Sequence, residues 1–290
     1  MKTTSVAIGI FDGVHAGHQQ ILAEAALHGR VVALTFYPHP TSVFAPERTP
    51  SALVNLEDRI SLLEENGASE VVVIEFTKEF AEKSPEDFIQ DVLVNQLKAT
   101  HVTVGSNFTF GHKAAGNVLT LKDHSRSFGV SSVELREDRG SAISSTRIRN
   151  LVVDGDIERA NELLTRPFFL RGPVVHGEKR GRTIGYPTAN LGLQDHATIP
   201  ADGIYAGWLT VGEHRWAAAI SIGTNPTFPG VRGRQVEAYA IDQEGLDLYD
   251  QTATIEFISR LRDTLKFDGL DPLLVQMAED CAEAKRVLGR

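Results

Sequence analysis

Cysteine is almost absent from this chain, with Cys281 standing alone among 290 residues. An internal disulfide is therefore excluded, as is any zinc site built on paired cysteines, and a reducing compartment fits. Cys281 lies in a helical-looking tail and reads as a small buried hydrophobe. Long apolar runs are missing too, since none approaches the ~20 residues that a membrane span requires. The opening Met1-Lys2-Thr3-Thr4-Ser5 leads into a strand-sized apolar run and not into a signal-peptide core. Basic excess is also lacking: 29 Lys and Arg against 38 Asp and Glu leave a formal net charge of −9. That balance argues against a general nucleic-acid surface, although a local basic site for a small phosphorylated ligand is still allowed. Internal repeats and low-complexity tracts are absent. These absences describe a cytoplasmic, soluble protein with neither nucleic acid nor membrane as a partner; a homo-oligomer stays open.

What is present is ordinary globular composition, 42% hydrophobic and 23% charged, with length enough for two domains. In the first half, β-rich runs at residues 6–10, 31–36, 71–76, 102–105 and 130–135 alternate with helix-like pieces at 19–28, 56–66, 85–97 and around 117–128. Apolar strands separated by helices indicate a parallel sheet covered on both faces, which binds ligands at the carboxyl ends of its strands.

After the first strand comes Gly9-Ile10-Phe11-Asp12-Gly13-Val14-His15-Ala16-Gly17-His18. A strand, a glycine-rich turn and a helix start together hold phosphate, because free N–H groups of the first helical turn point at the anion. His15 and His18, three apart, share a face and can present two imidazoles to one anionic group. The spacing of Gly9, Gly13 and Gly17 is looser than the dinucleotide fingerprint, which disfavours a Rossmann dehydrogenase. Zinc is a weak reading of the pair, since metalloprotease histidines stand four apart around a glutamate.

Two aromatic-rich loops should reach the same rim: residues 36–40, continuing to Phe44 and Arg48, and residues 105–111. They suit a flat apolar ligand, while any one of these phenylalanines is more simply a cap on the core. The segment Ile143-Ser144-Ser145-Thr146-Arg147-Ile148-Arg149 starts another helix, in which Thr146 and Arg149 share a face. Alone it is an ordinary capped helix with solvated arginines. Beside the histidines it resembles the nucleotidyltransferase superfamily, α/β enzymes that attack the α-phosphate of ATP. Class I aminoacyl-tRNA synthetases share His-x-Gly-His, but this chain is short, acidic and without a Lys-Met-Ser-Lys-Ser segment.

The second half changes character. A helix at 157–164 precedes Arg166-Pro167, and β-rich runs follow at 168–177, 203–211, 216–222, 235–241 and 252–258. With no long helix between them, they suggest an antiparallel barrel or sandwich, closed by an amphipathic helix at 273–288. The stretch from Gly177 through Gly181, Arg182 and Gly185 to Pro187-Thr188-Ala189-Asn190 mixes glycine with basic residues, like a phosphate loop, but lacks a Walker ending. If residues 187–190 are extended, Thr188 and Asn190 point to one side, where a hydroxyl and an amide oxygen suit Mg²⁺. The plain alternative is a basic surface turn before a polar strand edge. Glu237 interrupts a β-run and is either a solvated glutamate or a barrel-facing carboxylate that takes a proton from an alcohol.

Taken in order, the Phe11–His18 turn, residues 105–111 and 143–149, Gly181-Arg182-Thr183-Ile184-Gly185-Tyr186-Pro187-Thr188-Ala189-Asn190, Gly223-Thr224-Asn225-Pro226-Thr227-Phe228 and Val236-Glu237 closely resemble the bacterial bifunctional riboflavin kinase/FMN adenylyltransferases, also called FAD synthetases. The resemblance covers essentially the whole chain. It implies a nucleotidyltransferase-type parallel α/β domain at 1–153, a connecting helix at 154–167 and an antiparallel β-barrel kinase domain with a C-terminal helix at 168–290. It also implies two reactions: ATP phosphorylates riboflavin to FMN, and a second ATP adenylylates FMN to FAD, releasing pyrophosphate.

Residue roles follow from the same resemblance. His15 and His18 stabilise charge on the α-phosphate, and Gly9, Phe11, Asp12, Gly13 and Gly17 shape the turn around it. Ser145, Thr146 and Arg149 grip the phosphates, while Phe44, Asn107 and Phe110 build the flavin pocket. In the barrel, Thr188 and Asn190 hold Mg²⁺ and nucleotide, Glu237 is the base, and Gly177, Gly181, Arg182, Gly185, Pro187 and Asn225 line the site. Tyr37 stands where an acidic residue is frequent in the family, and Thr264 where a glutamate is common. The competing readings are an enzyme with one live module and a flavin-binding regulator without turnover.

Overall fold

The computed structural model describes residues 3–124, 126–177, 185–223 and 234–290. The chain divides into two compact units, Met1–Ser145 and Thr146–Arg290. The division falls at the start of the helix that the sequence assigns to the first domain.

The first unit is built on a five-stranded parallel sheet in the order β3-β2-β1-β4-β7, from β1 (Thr4–Ile8), β2 (Arg30–Tyr37), β3 (Glu70–Glu75), β4 (His101–Gly105) and β7 (Gly129–Val133). Short β5 (Thr109–Phe110) pairs with β6 (Gly116–Asn117), and β8 (Glu137–Asp138) with β9 (Ser141–Ala142). Strands β1, β2 and β3 run outward on one side and β4 and β7 on the other, so the order reverses between β1 and β4. The loops leaving the carboxyl ends of those two strands therefore flank the crevice where such sheets take their ligands.

Register places Val6 beside Val32 and Val102, and their shared face forms the core with Ile8, Leu34 and Val104. Phe88, Ile89, Val92 and Leu93 cover it. They lie on a segment that enters as α5 (Pro85–Asp87) and continues as a π-helix over Phe88–Gln96, where an ordinary helix was expected. Leu97 N–H bonds Val92 O, five residues back, at 2.9 Å. The opposite sheet face meets α1 (Ala16–Ala26), and Ser5 and Thr103 are fully buried in the strands of this sheet. The strands are thus less uniformly apolar than their composition suggests. Helix α3 (Leu56–Glu65) precedes β3, and the helix expected around 117–128 shortens to α6 (Val118–Asp123).

The second unit begins with α7 (Ser145–Asp154), whose first residue belongs to the first unit, and α8 (Ile157–Leu164). Among the described residues, six antiparallel strands then close a barrel in the order β10-β11-β14-β13-β12-β15. They are β10 (Phe168–Val175), β11 (Thr188–Leu191), β12 (Gly203–Val211), β13 (His214–Gly223), β14 (Gln235–Ala240) and β15 (Thr252–Arg262). Period-two alternation fills the interior with Phe168, Leu170, Ile220, Ala238, Ile255 and Phe257, all buried. A Cβ on Gly207 would meet Glu256 O at 1.9 Å, so only glycine lets β12 cross β15 at the register shift there. Asn161 ties α8 to the barrel: its amide donates to Phe257 O at 2.9 Å and accepts from Phe168 N–H at 2.6 Å.

A C-terminal helix, here α9 (Leu270–Val287), docks through Asp280, which takes Arg262 in a bidentate pair at 2.7 and 2.6 Å. Cys281, the expected small hydrophobe, is half-buried in the apolar contact around Ala206, Ile241 and Ala284. Burial pushes its thiol up to about 11, leaving it inert.

Candidate active sites

The turn after β1 is a strained, buried structure. Phe11 and Val14 adopt φ of 55° and 42°, and Gly13 lies at 80°. Asp12 explains part of the fold: its buried carboxylate accepts from Leu53 N–H at 3.0 Å and Val54 N–H at 3.4 Å. It is thereby an internal tether. Ser145 Oγ donates to Asp12 O at 2.8 Å, which fastens the last residue of the first unit to the same loop.

His15 is the N-cap of α1, and its Nδ1 accepts from Gly17 N–H at 3.2 Å and His18 N–H at 3.4 Å. A Cβ on Gly17 would press on the His15 ring at 3.2 Å. With Nδ1 occupied as an acceptor, the neutral ring carries its proton on Nε2. The His18 ring stacks on His15 with centroids 3.6 Å apart, and Phe11 packs edge-on against it at 5.2 Å. Burial lowers His15 to about 4 and holds His18 well below the ordinary imidazole range. The two imidazoles are therefore neutral hydrogen-bonding groups near pH 7 and not a pair of cations.

Of the flavin-loop residues, Phe44 is 63% exposed while Phe110 is buried in the core. A run of edge and tilted ring contacts links Phe44, Phe76, Phe80, Phe88 and Phe110. Phe110 therefore packs in the core, and Phe44 alone of the two offers a ring to solvent. Asn107 is exposed in the turn after β4. Thr146 and Arg149 follow Ser145 on α7.

In the barrel, residues 188–191 are extended as β11, and Ala189 and Leu191 point inward. Thr188 and Asn190 share the other side, opposite Tyr239 and Glu237 of β14. Thr188 Oγ1 donates to Glu237 Oε2 at 3.0 Å. Glu237 alternates with the buried Val236 and Ala238, so it lies on the face opposite theirs, the less buried side of β14. A Cβ on Gly177 would lie 2.5 Å from Asn190 Nδ2, so a larger residue there would displace the Asn190 amide. Gly185, at φ 88°, and Pro187 lead into β11. Gly181, Arg182 and Asn225 fall outside the described residues.

Thr188, Asn190, Gly177 and Pro187 line a cavity of about 190 Å³ whose far wall is residues 243 and 245–249. His176 packs on Tyr249 beside it, with ring centroids 4.0 Å apart. That wall carried no motif in the sequence. Arg59, another omission, had a signal: it precedes Leu62 and Leu63 at helical spacing, which puts it on the buried side of α3.

The sequence pattern of the FAD synthetase family matches residues 1–147, and that of riboflavin kinase matches residues 164–288. The chain is 36% identical to the bifunctional riboflavin kinase/FMN adenylyltransferase of Bacillus subtilis, over 97% of this chain and 91% of that protein. It is 35% identical to the Escherichia coli protein of the same name, over 98% and 92%. A crystal structure described as a macrolide-efflux protein from Streptococcus pneumoniae superposes with a TM-score of 0.87 at 34% identity, covering 99% of this chain and 95% of that one. Among the described residues, no helix is long and apolar enough to cross a membrane. On the strength of both patterns and the nearly full-length relatives, the chain belongs to the bifunctional riboflavin kinase/FMN adenylyltransferase family.

Proposed function

We propose that the second unit phosphorylates riboflavin and that the first joins the FMN so formed to AMP from a second ATP. The chain is a riboflavin kinase and an FMN adenylyltransferase, with riboflavin, FMN and ATP as its small-molecule substrates. The observation that carries this reading is the order of the two family patterns, 1–147 and then 164–288, each enclosing its own chemically distinct side chains. We draw the functional domains at 1–153 and 168–290, joined by 154–167, and place the enzyme in the cytoplasm.

In adenylyl transfer, an FMN phosphate oxygen bonds to the α-phosphorus of ATP. The bond to the β-bridging oxygen breaks, and pyrophosphate leaves with the electron pair. The attacking phosphate is already a nucleophile, so the protein supplies position and hydrogen bonds for growing charge. His15 and His18 serve that purpose, with Nε2–H of His15 as a neutral donor. Ser145, Thr146 and Arg149 are assigned to the nucleotide phosphates from their motif, and Phe44, Asn107 and Phe110 to the flavin pocket, Phe110 from its buried position in the core behind it.

In the kinase step, the ribityl hydroxyl loses a proton as it attacks the γ-phosphorus, and Glu237 accepts that proton. Thr188, Asn190 and Glu237 lie together on β11 and β14, and their hydroxyl, amide and carboxylate oxygens are hard ligands that suit magnesium. Thr188 and Asn190 would hold Mg²⁺, which when bound neutralises charge on the transferred phosphate.

The test is chromatography of purified protein with riboflavin, Mg²⁺ and ATP, which should show FMN and then FAD. Absence of turnover would overturn the enzyme reading. In the same assay His15→Ala should suppress FAD while sparing FMN, and Glu237→Ala should block FMN while sparing FAD from supplied FMN. Equal loss of both activities in either variant would refute separate sites.

A further inference from the structure

Arg59 of α3 is only 5% exposed. Its Nη1 donates to Phe36 O at 3.2 Å, near the carboxyl end of β2. Among the described residues its Nε has no hydrogen-bond partner, and neither has Nδ1 of His18. The guanidinium repels charge on His18 and is attracted by Asp12 and by Tyr37. Asp12 in turn holds the N–H groups of Leu53 and Val54, just ahead of α3. The loop after β1, the end of β2 and the entry to α3 thus converge on one buried cation.

Attraction to Asp12 offsets only part of the cost of that charge. Burying a guanidinium with an unmatched donor costs several kcal/mol, and a methionine would fill a similar volume without that cost. A phosphate at the neighbouring histidines accounts for the charge, because a fixed cation in a low-dielectric site acts strongly on charge that grows nearby.

We propose that Arg59 is a positioning residue for adenylyl transfer, which holds the end of β2 through Phe36 O and, through the Asp12 loop that ties the entry of α3 to the His15–His18 turn, supplies a fixed positive charge to that turn. The proposal rests on the reading of those histidines as the adenylyl-transfer residues. Burial, His15 on its own helix and Arg59 on α3 all hold His18 in the neutral form. Loss of the arginine charge removes one of these three restraints, while Asp12 and Tyr37 lose the cation they face.

The experiment follows FAD formation from supplied FMN by the full-length chain, between about pH 5 and pH 9, where imidazoles titrate. Arg59→Met should lower kcat about 30-fold with KM for FMN little changed, the pattern of an interaction made in the transition state. Its acid limb should move to higher pH. Arg59→Lys should restore the limb and most of kcat. Arg59→Gln, which can keep the bond to Phe36 O without the charge, should behave as Arg59→Met and replaces it if that variant fails to fold. Wild-type kcat in the uncharged variants would overturn the proposal. So would equal losses in the Lys and Met variants with an unmoved limb, the mark of packing alone. His18→Gln separates the two readings: an active His18→Gln sinks the site assignment, whereas an inactive one beside a fully active Arg59→Met sinks only the role of Arg59.

Discussion

His15 commits Nδ1 to the backbone N–H groups of Gly17 and His18, so folding itself fixes the tautomer that the reaction would use. Its imidazole falls from the ordinary 6.5 to about 4 because burial penalises the charged ring. The sign follows from proton counting. The unfolded chain binds more protons below pH 6.5, so this stabilisation is complete above 6.5 and is lost as pH falls towards about 4. The loss approaches about 3 kcal/mol at its limit, an order-of-magnitude figure from the depressed value. His18 acts in the same direction. His15→Asn keeps a good helix cap without a titrating ring. Urea unfolding from pH 7 to about pH 4 should show a shallower decline for the first unit of His15→Asn than for the wild type, and the variant should not form FAD. The sequence showed both histidines and their spacing. It could not show their protonation, which depends on how deeply the rest of the chain buries them.

Elements were legible wherever one face is buried. The five parallel strands lie within about two residues of their continuous apolar runs, and the barrel strands at 203–211 and 235–241 within about one residue of theirs. The π-helix was not legible, because apolar residues at 88, 89, 92 and 93 also fit an ordinary helical stripe. Strand β11 is four residues long and polar on one side, so its pairing with β14 decided its state. Two predictions belong here. Gly177→Ala should cut FMN formation at least about tenfold by displacing Asn190, while FAD formation from supplied FMN continues. Asp280→Ala should destabilise the second unit by about 3 kcal/mol in urea titration, because it strands Arg262 in a partly buried place. The double variant Arg262→Met/Asp280→Leu should recover most of that loss, since no charge is then left unpaired.

For the whole molecule, the link between the two reactions is FMN, the product of one and the substrate of the other and a molecule free to diffuse. A mixture of His15→Ala and Glu237→Ala proteins should therefore convert riboflavin to FAD, although neither variant does so alone. Failure of the mixture, with both variants folded, would mean that FMN passes only within one chain.

The sequence by itself determined the class of each half and supplied the motifs proposed to carry the chemistry. Hydrophobic period sets strand and helix locally, and the motifs carry their chemistry in adjacent residues such as His15 to His18 and Thr188 to Asn190. Tertiary structure alone decided what depends on distant chain segments. It placed Glu237 within 3.0 Å of Thr188, 49 positions away. It also turned Asp12 into a tether for Leu53 and Val54, and buried Arg59 against the end of β2. Burial and long-range pairing fix charge state and direction, and neither is a property of a residue and its neighbours in the chain.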